Sequence, residues 1–200
     1  MTLKYLFTAL LSILFLSQVS FAQDLKEEVE NSIDKDEMPA SALDALEDFL
    51  EDQIVTDANY YRETDGETTT FEAKLYWQDY QYSIEFTDEG LLLDIEQLIE
   101  FNEIPEGIQG RITQIMEEQF SRFRMTRVQR QYISDEEDED GEDVIEDFLE
   151  NDMDDLIVRY EIEVEGQNRS EMGSFEMLFD PEGELIQRRR IVRRSIDNIW

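Results

Sequence analysis

The chain writes nearly the same five residues twice, FTDEG at 86–90 and FDPEG at 179–183, each directly after a run in which apolar and polar residues alternate. Alternation marks a half-buried strand. A short segment with Asp or Pro inside and Gly at its end suits a turn, the Gly taking the positive φ of a bulged hairpin. More than the turn repeats. Leu43, Leu46 and Leu50 recur at helical spacing after Pro39, and Ile108, Ile112 and Ile115 do so after Pro105. Proline at the head of such a run suits the first turn of a helix.

After each helix the period falls to two. Phe71, Ala73, Leu75 and Trp77 alternate with polar residues, as do Tyr80, Tyr82, Ile84 and Phe86, with only Gln78 and Asp79 between the runs. That spacing predicts a tight hairpin. In the second half Tyr160, Ile162 and Val164 form one run and Phe175, Met177 and Phe179 the next. Earlier strands are expected near 58–64 and 125–133, and last ones at LLLDI (91–95) and ELIQR (184–188). The expected fold is α+β: two tandem units, 23–103 and 104–200, each a helix packed on an antiparallel sheet of about four strands, the two sheets free to join into one larger sheet.

The start reads MTLKYLFTALLSILFLSQVSFAQ, with Lys4, an apolar run from Tyr5 to Leu16, and small residues at Ser20 and Ala22. This is the pattern of a secretory signal peptide over 1–22, cleaved near Ala22, too short an apolar run to span a bilayer comfortably. The mature chain is expected in the periplasm or secreted, without a membrane anchor. It has no Cys and no His. Disulfides, the usual zinc sites, Ser-His-Asp and Cys-His systems and CxxC redox chemistry are therefore unavailable. Carboxylate pairs, Lys, Tyr and hard cations remain. The formal charge of −34 becomes −35 once Lys4 leaves with the leader, a field that repels nucleic acid and anionic lipid. With 40% hydrophobic and 11% aromatic residues the chain is still apolar enough to fold.

MPASALDAL, IPEGIQGRI, the aromatic-rich alternating hairpins and the F-x-x-E-G turns together resemble the PepSY-like, β-lactamase-inhibitor-like family of exported bacterial proteins. The resemblance spans about residues 34–190. It implies small α+β units, export, and non-catalytic protein binding or inhibition, and it brings no active-site residues. Inhibitor proteins of similar architecture use disulfides, so it does not imply specific inhibition of β-lactamase here.

The halves differ most at the acidic insert 134–155, SDEEDEDGEDVIEDFLENDMDD, which holds 14 acidic residues and no basic one; the rest of the second half balances 12 against 12. Three readings compete. A like-charge run is commonly a solvated loop. Val144, Ile145, Phe148, Leu149 and Met153 fall at helical spacings, so a short helix follows, either binding a partner or capping the chain's own sheet. Third, Glu136, Asp138, Asp140, Gly141 and Asp147 occupy positions one, three, five, six and twelve of a calcium loop. Against calcium, position twelve is the shorter Asp, Asp143 stands where a packed apolar residue belongs, and a strand rather than a helix precedes.

Twelve of the 13 Arg residues lie in the second half. Those around 122–130 and 188–194 are expected either to face acid elsewhere and fix the packing or to charge edge strands against aggregation. Asn168-Arg169-Ser170 matches a glycosylation sequon by pattern and is read as a hairpin loop.

Functionally, a non-catalytic exported module with an unidentified protein partner leads. Tyr76 is its candidate surface anchor, because Trp77, Tyr80 and Tyr82 share the inward parity of Leu75 and Ile84; Phe148 is a second candidate. The alternative is a calcium-associating acidic protein. Enzymatic use of paired carboxylates is not supported, since 51 acidic residues bring some pair together by chance.

Overall fold

The computed structural model describes residues 24–47, 50, 58–66, 68–135 and 141–192. The leader with its cleavage site, Arg193 and Arg194 lie outside them. Strands β1 (Asp24–Lys26) and β2 (Glu28–Ile33) precede helix α1 (Ala40–Ala45), followed by β3 (Asn59–Asp65), β4 (Thr68–Trp77), β5 (Tyr80–Thr87) and β6 (Leu92–Leu98). Helix α2 (Glu106–Gln119) leads to β7 (Arg122–Ser134), α3 (Gly141–Glu150), β8 (Leu156–Gln167), β9 (Met172–Phe179) and β10 (Leu185–Ile191). The eight alternating runs all form strands, and Gln78 and Asp79, both at positive φ, make the two-residue hairpin.

The class is α+β, with a single mixed sheet of ten strands in the order β1-β10-β9-β8-β7-β6-β5-β4-β3-β2. The halves join where Ile95–Leu98 of β6 pairs antiparallel with Gln129–Tyr132 of β7. Strands β1 and β2 have no counterpart among the sequence expectations, and they determine the shape. They occupy opposite edges of the sheet, yet only Glu27 separates them. Neighbouring Cα atoms lie about 3.8 Å apart across a trans peptide, so the two edges come within about 8 Å of each other at this point. The sheet must curl until they meet. The seam is held by Glu27 N–H donating to Asp65 Oδ1 at 3.0 Å, and beside it Val192 N–H donating to Lys26 O at 2.9 Å extends the β1–β10 ladder. Arg189 of β10 completes it by pairing with Asp65 of β3.

Helices cover the outer face of the curl. Under α1 and α3, Ala42, Leu46, Val144, Ile145 and Phe148 bury Leu75, Tyr82, Ile84, Phe86 and Ile95; under α2, Ile112 and Met116 bury Ile162, Val164, Phe175, Met177 and Phe179. Both helix starts are built alike. Three-residue 3-10 turns at Lys35–Glu37 and Phe101–Glu103 are closed by Glu37 and Glu103, whose carboxylates accept from the Asp34 and Glu100 N–H at 3.0 and 2.6 Å. Met38 and Ile104 are then buried, and Pro39 and Pro105 lead into α1 and α2.

The recurring turns dock on these starts. Gly90 and Gly183 both sit at φ +83. A Cβ on Gly90 would lie 2.9 Å from Pro39 Cβ and also collide with Ser41 Oγ; one on Gly183 would lie 3.1 Å from Ile108 Cγ2. Glycine there answers both backbone geometry and the close approach of a helix.

Much of the insert is not a solvated loop. Gly141–Glu150 is helical because its apolar stripe finds the sheet, and Phe148 packs on Trp77, Tyr82 and Tyr132 with ring centroids 5.8, 5.7 and 4.9 Å away. The reading in which the stripe caps the chain's own sheet describes where these side chains sit.

Candidate functional site

Side chains alternate across a strand, so the residues skipped by the apolar pattern share the inner face. On β4 they are Thr68, Thr70, Glu72 and Lys74; on β5, Ser83 and Glu85; on β6, Asp94 and Glu96; on β7, Arg127, Gln129 and Gln131; on β8, Glu161 and Glu163. With Lys26, Glu30, Glu63, Asp65, Glu176, Leu178, Gln187 and Arg189 they line one cavity of about 410 Å³ to which all ten strands contribute. Ten carboxylates and four cations face it among the described residues. Curling places the acid of many strands, distant in sequence, around a common space.

The cations sit among the acids. Lys26 Nζ is 2.5 Å from Glu176 Oε2, Lys74 Nζ is 2.8 Å from Glu72 Oε2 and also pairs with Glu30, and Arg189 joins Asp65 while lying 3.9 Å from Glu176. Burial lowers the proton affinity of Lys74, but its bonds to Glu30 and Glu72 outweigh burial and raise it, holding the ammonium charged. Amides and a hydroxyl take other acids: Gln131 Nε2 donates to Asp94 Oδ2 at 2.8 Å, Gln129 Nε2 to Glu96, and Ser83 Oγ to Glu72.

Three carboxyls on this face are held well above the ordinary carboxylate range. For Asp94 the cause is burial, then the charges of Glu85 and Glu161; for Glu96, burial, then Asp94 and Glu85; for Glu161, burial, then Glu96 and Glu176. Lys26 and Arg127 oppose the rise at Glu96 and Glu161 without cancelling it. The face carries more acid than its own cations neutralise, so an added cation would relieve it.

Glu30, Glu63 and Glu72 form the one group of three carboxylates, among the described residues, whose oxygens all lie within 4.8 Å of one another. Lys74 stands at that group, paired with two of its three members.

Of the residues singled out by sequence, Tyr76 lies on the inner-face parity of β4 and is 69% exposed. Phe148 is the correction: at 5% exposure it is enclosed in the aromatic cluster of the core and presents no surface to a partner. Glu136, Asp138 and Asp140 lie outside the described residues. Asp147 is half-buried on α3, where its carbonyl accepts from the Asp152 N–H at 2.9 Å. Gly141 is the first residue of that helix, and a Cβ there would lie 2.9 Å from Leu92 Cβ, so helix packing accounts for the glycine. Sequence reasoning missed the inner face. Its signal was present as the other parity of the central strands, where carboxylates or amides recur at i and i+2: Asp94 and Glu96 on β6, Gln129 and Gln131 on β7, Glu161 and Glu163 on β8.

No family model matches the chain, and no curated protein matches it. Solved structures similar to it include a BLIP-like protein from Bacteroides fragilis, 14% identical, with a TM-score of 0.48 over 82% of this chain and 92% of that one. A DUF2874 family protein from Bacteroides uniformis is 15% identical, with a TM-score of 0.49 over 76% of this chain and 88% of that one. Another from Bacteroides ovatus is 8% identical, with a TM-score of 0.48 over 76% and 87%. PepSY appears in none of the three descriptions.

Proposed function

We propose that the chain is an exported, non-catalytic binding module that holds cationic ligands on the acidic inner face of its curled sheet. The carrying observation is the cavity itself, lined by ten carboxylates against four cations. Export is supported by the leader-like start, and absence of His and Cys removes the commonest nucleophile and base sets. Two copies of one PepSY-like unit, 23–103 and 104–200, account for the construction. The matched 3-10 turns, the prolines and the two Gly residues at φ +83 support that duplication.

A thermal-shift panel of cationic, neutral and anionic small molecules on the mature chain, residues 23–200, tests the reading. Cationic compounds should raise Tm, because a ligand that binds only the folded state stabilises it. Stabilisation by anions alone, or by nothing, would count against it.

A second reading places a protein partner at one end of the same face. Tyr76 pairs across β4 and β5 with Gln81, which shares a hollow with the exposed Leu98 and with Thr126. Exposed aromatic and aliphatic side chains beside charge suit a protein contact. Replacing Tyr76 with Ala should then weaken that contact and leave small cations unaffected.

A further inference from the structure

The Asp94 and Gln131 side chains meet in the lining of the cavity, and each leaves one oxygen without a donor. Gln131 Nε2 donates to Asp94 Oδ2 at 2.8 Å. Asp94 Oδ1 and Gln131 Oε1 have no hydrogen-bond partner, although both residues are only 8% exposed and both line the cavity. A buried acceptor left unmade is destabilising, whereas a group with several N–H donors can satisfy more than one such oxygen.

We propose that this cavity takes a linear aliphatic polyamine, with one ammonium group donating to Asp94 Oδ1 and Gln131 Oε1 and a further ammonium among the neighbouring carboxylates. The proposal rests on reading the acidic face as the binding surface. Charge sets the first requirement: burial, then Glu85 and Glu161, disfavour the ionised form of Asp94, and an ammonium bound there restores it as the carboxyl proton leaves to solvent.

Spacing sets the second. A hard divalent ion takes six to eight oxygens at about 2.3–2.6 Å and needs carboxylates gathered at one point. Among the described residues only Glu30, Glu63 and Glu72 are gathered so, and the Lys74 ammonium already stands there. The other acids stand on β3, β5, β6, β8 and β9 without forming a second such group, which suits a ligand with more than one charge along a chain. Lys74 and Lys26 show, within the protein itself, that alkylammonium groups settle on this face.

Methylenes need an apolar wall. Leu178 lines the acidic cavity and also an adjoining hollow, where Leu92, Leu93 and Ile133 stand with Asp94 and Gln131. Charge and hydrocarbon are thus offered side by side, as they are on a polyamine. The volume of about 410 Å³ is that of a small-molecule site.

Titration calorimetry on the mature chain tests this, with spermidine, putrescine, propylamine, 1,4-butanediol and calcium chloride as probes. At about 150 mM salt, long-range charge effects are screened. Spermidine should saturate at one per chain, more tightly than propylamine, with the diol silent. Asp94→Asn should weaken spermidine on the order of ten- to a hundredfold, as loss of a charged hydrogen bond does. Glu146→Gln, on the exposed side of α3, removes a carboxylate outside the cavity and should leave the affinity unchanged. Equal weakening by both variants, or no saturation, would reduce the effect to the overall field and overturn the proposal. Tight calcium binding without spermidine binding would overturn it too, while leaving the acidic face a cation site. Silence from every cationic probe would overturn both readings.

Discussion

The guanidinium of Arg189 meets the carboxylate of Asp65 124 residues away, where the two edges of the sheet come together. Asp65 also accepts the Glu27 N–H that links β1 to β2, so one side chain holds both parts of the seam. Asp65→Ala should cost about 2 kcal/mol, the scale for a partly buried, charge-assisted hydrogen bond. It should also speed hydrogen exchange at the amides of β1 and β10. Denaturant unfolding and native-state exchange check this; unchanged protection at Leu25 and Arg190 would mean the seam closes without the pair.

Gly90 and Gly183 share φ but not surroundings. Gly90→Ala adds a Cβ against Pro39 and Ser41, so about 2–4 kcal/mol is expected from left-handed strain plus overlap. Gly183→Ala meets Ile108 and Arg111 at 3.1 and 3.2 Å and should cost about 1–2 kcal/mol. Urea midpoints of the two variants give the order, and a larger loss at Gly183 would contradict it.

The same two turns show what the sequence carries. FTDEG and FDPEG, the prolines and the alternating runs record local geometry, so helix starts, hairpins and eight strands are legible. The seam is not. Nothing in DLKEEVENSI states that Asp24–Lys26 pairs with one edge and Glu28–Ile33 with the other, because that depends on the accumulated curl of every strand between. The acidic face was half legible: Glu72, Asp94 and Glu161 each stand one position from a core residue, yet only the curled sheet brings them around one cavity. The charge run 135–140 drew attention by composition, while the acids that converge are dispersed singly over seven strands.

Phe148→Ala tests whether α3 is structural. The ring fills a space between Trp77, Tyr82 and Tyr132, and truncating a buried Phe costs about 3–5 kcal/mol. Loss of stability should come with altered Trp77 fluorescence. A stable variant with native fluorescence would show that the helix packs without this contact.

The inner-face carboxyls give stability a pH dependence whose sign follows from burial. Asp94 faces Glu72, Glu85 and Glu161; Glu96 faces Asp94, Glu85, Arg127 and Lys26; Glu161 faces Glu96, Glu176, Lys26 and Arg127. All three are raised when folded, so folding favours their protonated forms. Their contribution is fully present below the unfolded values, about 4, and is lost as pH rises through the folded ones. Tm should therefore increase as pH falls from about 8 toward the unfolded values. Asp94→Asn, which keeps the shape and removes the charge, should raise Tm at neutral pH and flatten the slope. Calorimetric scans of both proteins across that range check it, and a Tm that falls steadily on acidification from pH 8 would show that the buried acids are ionised at no cost.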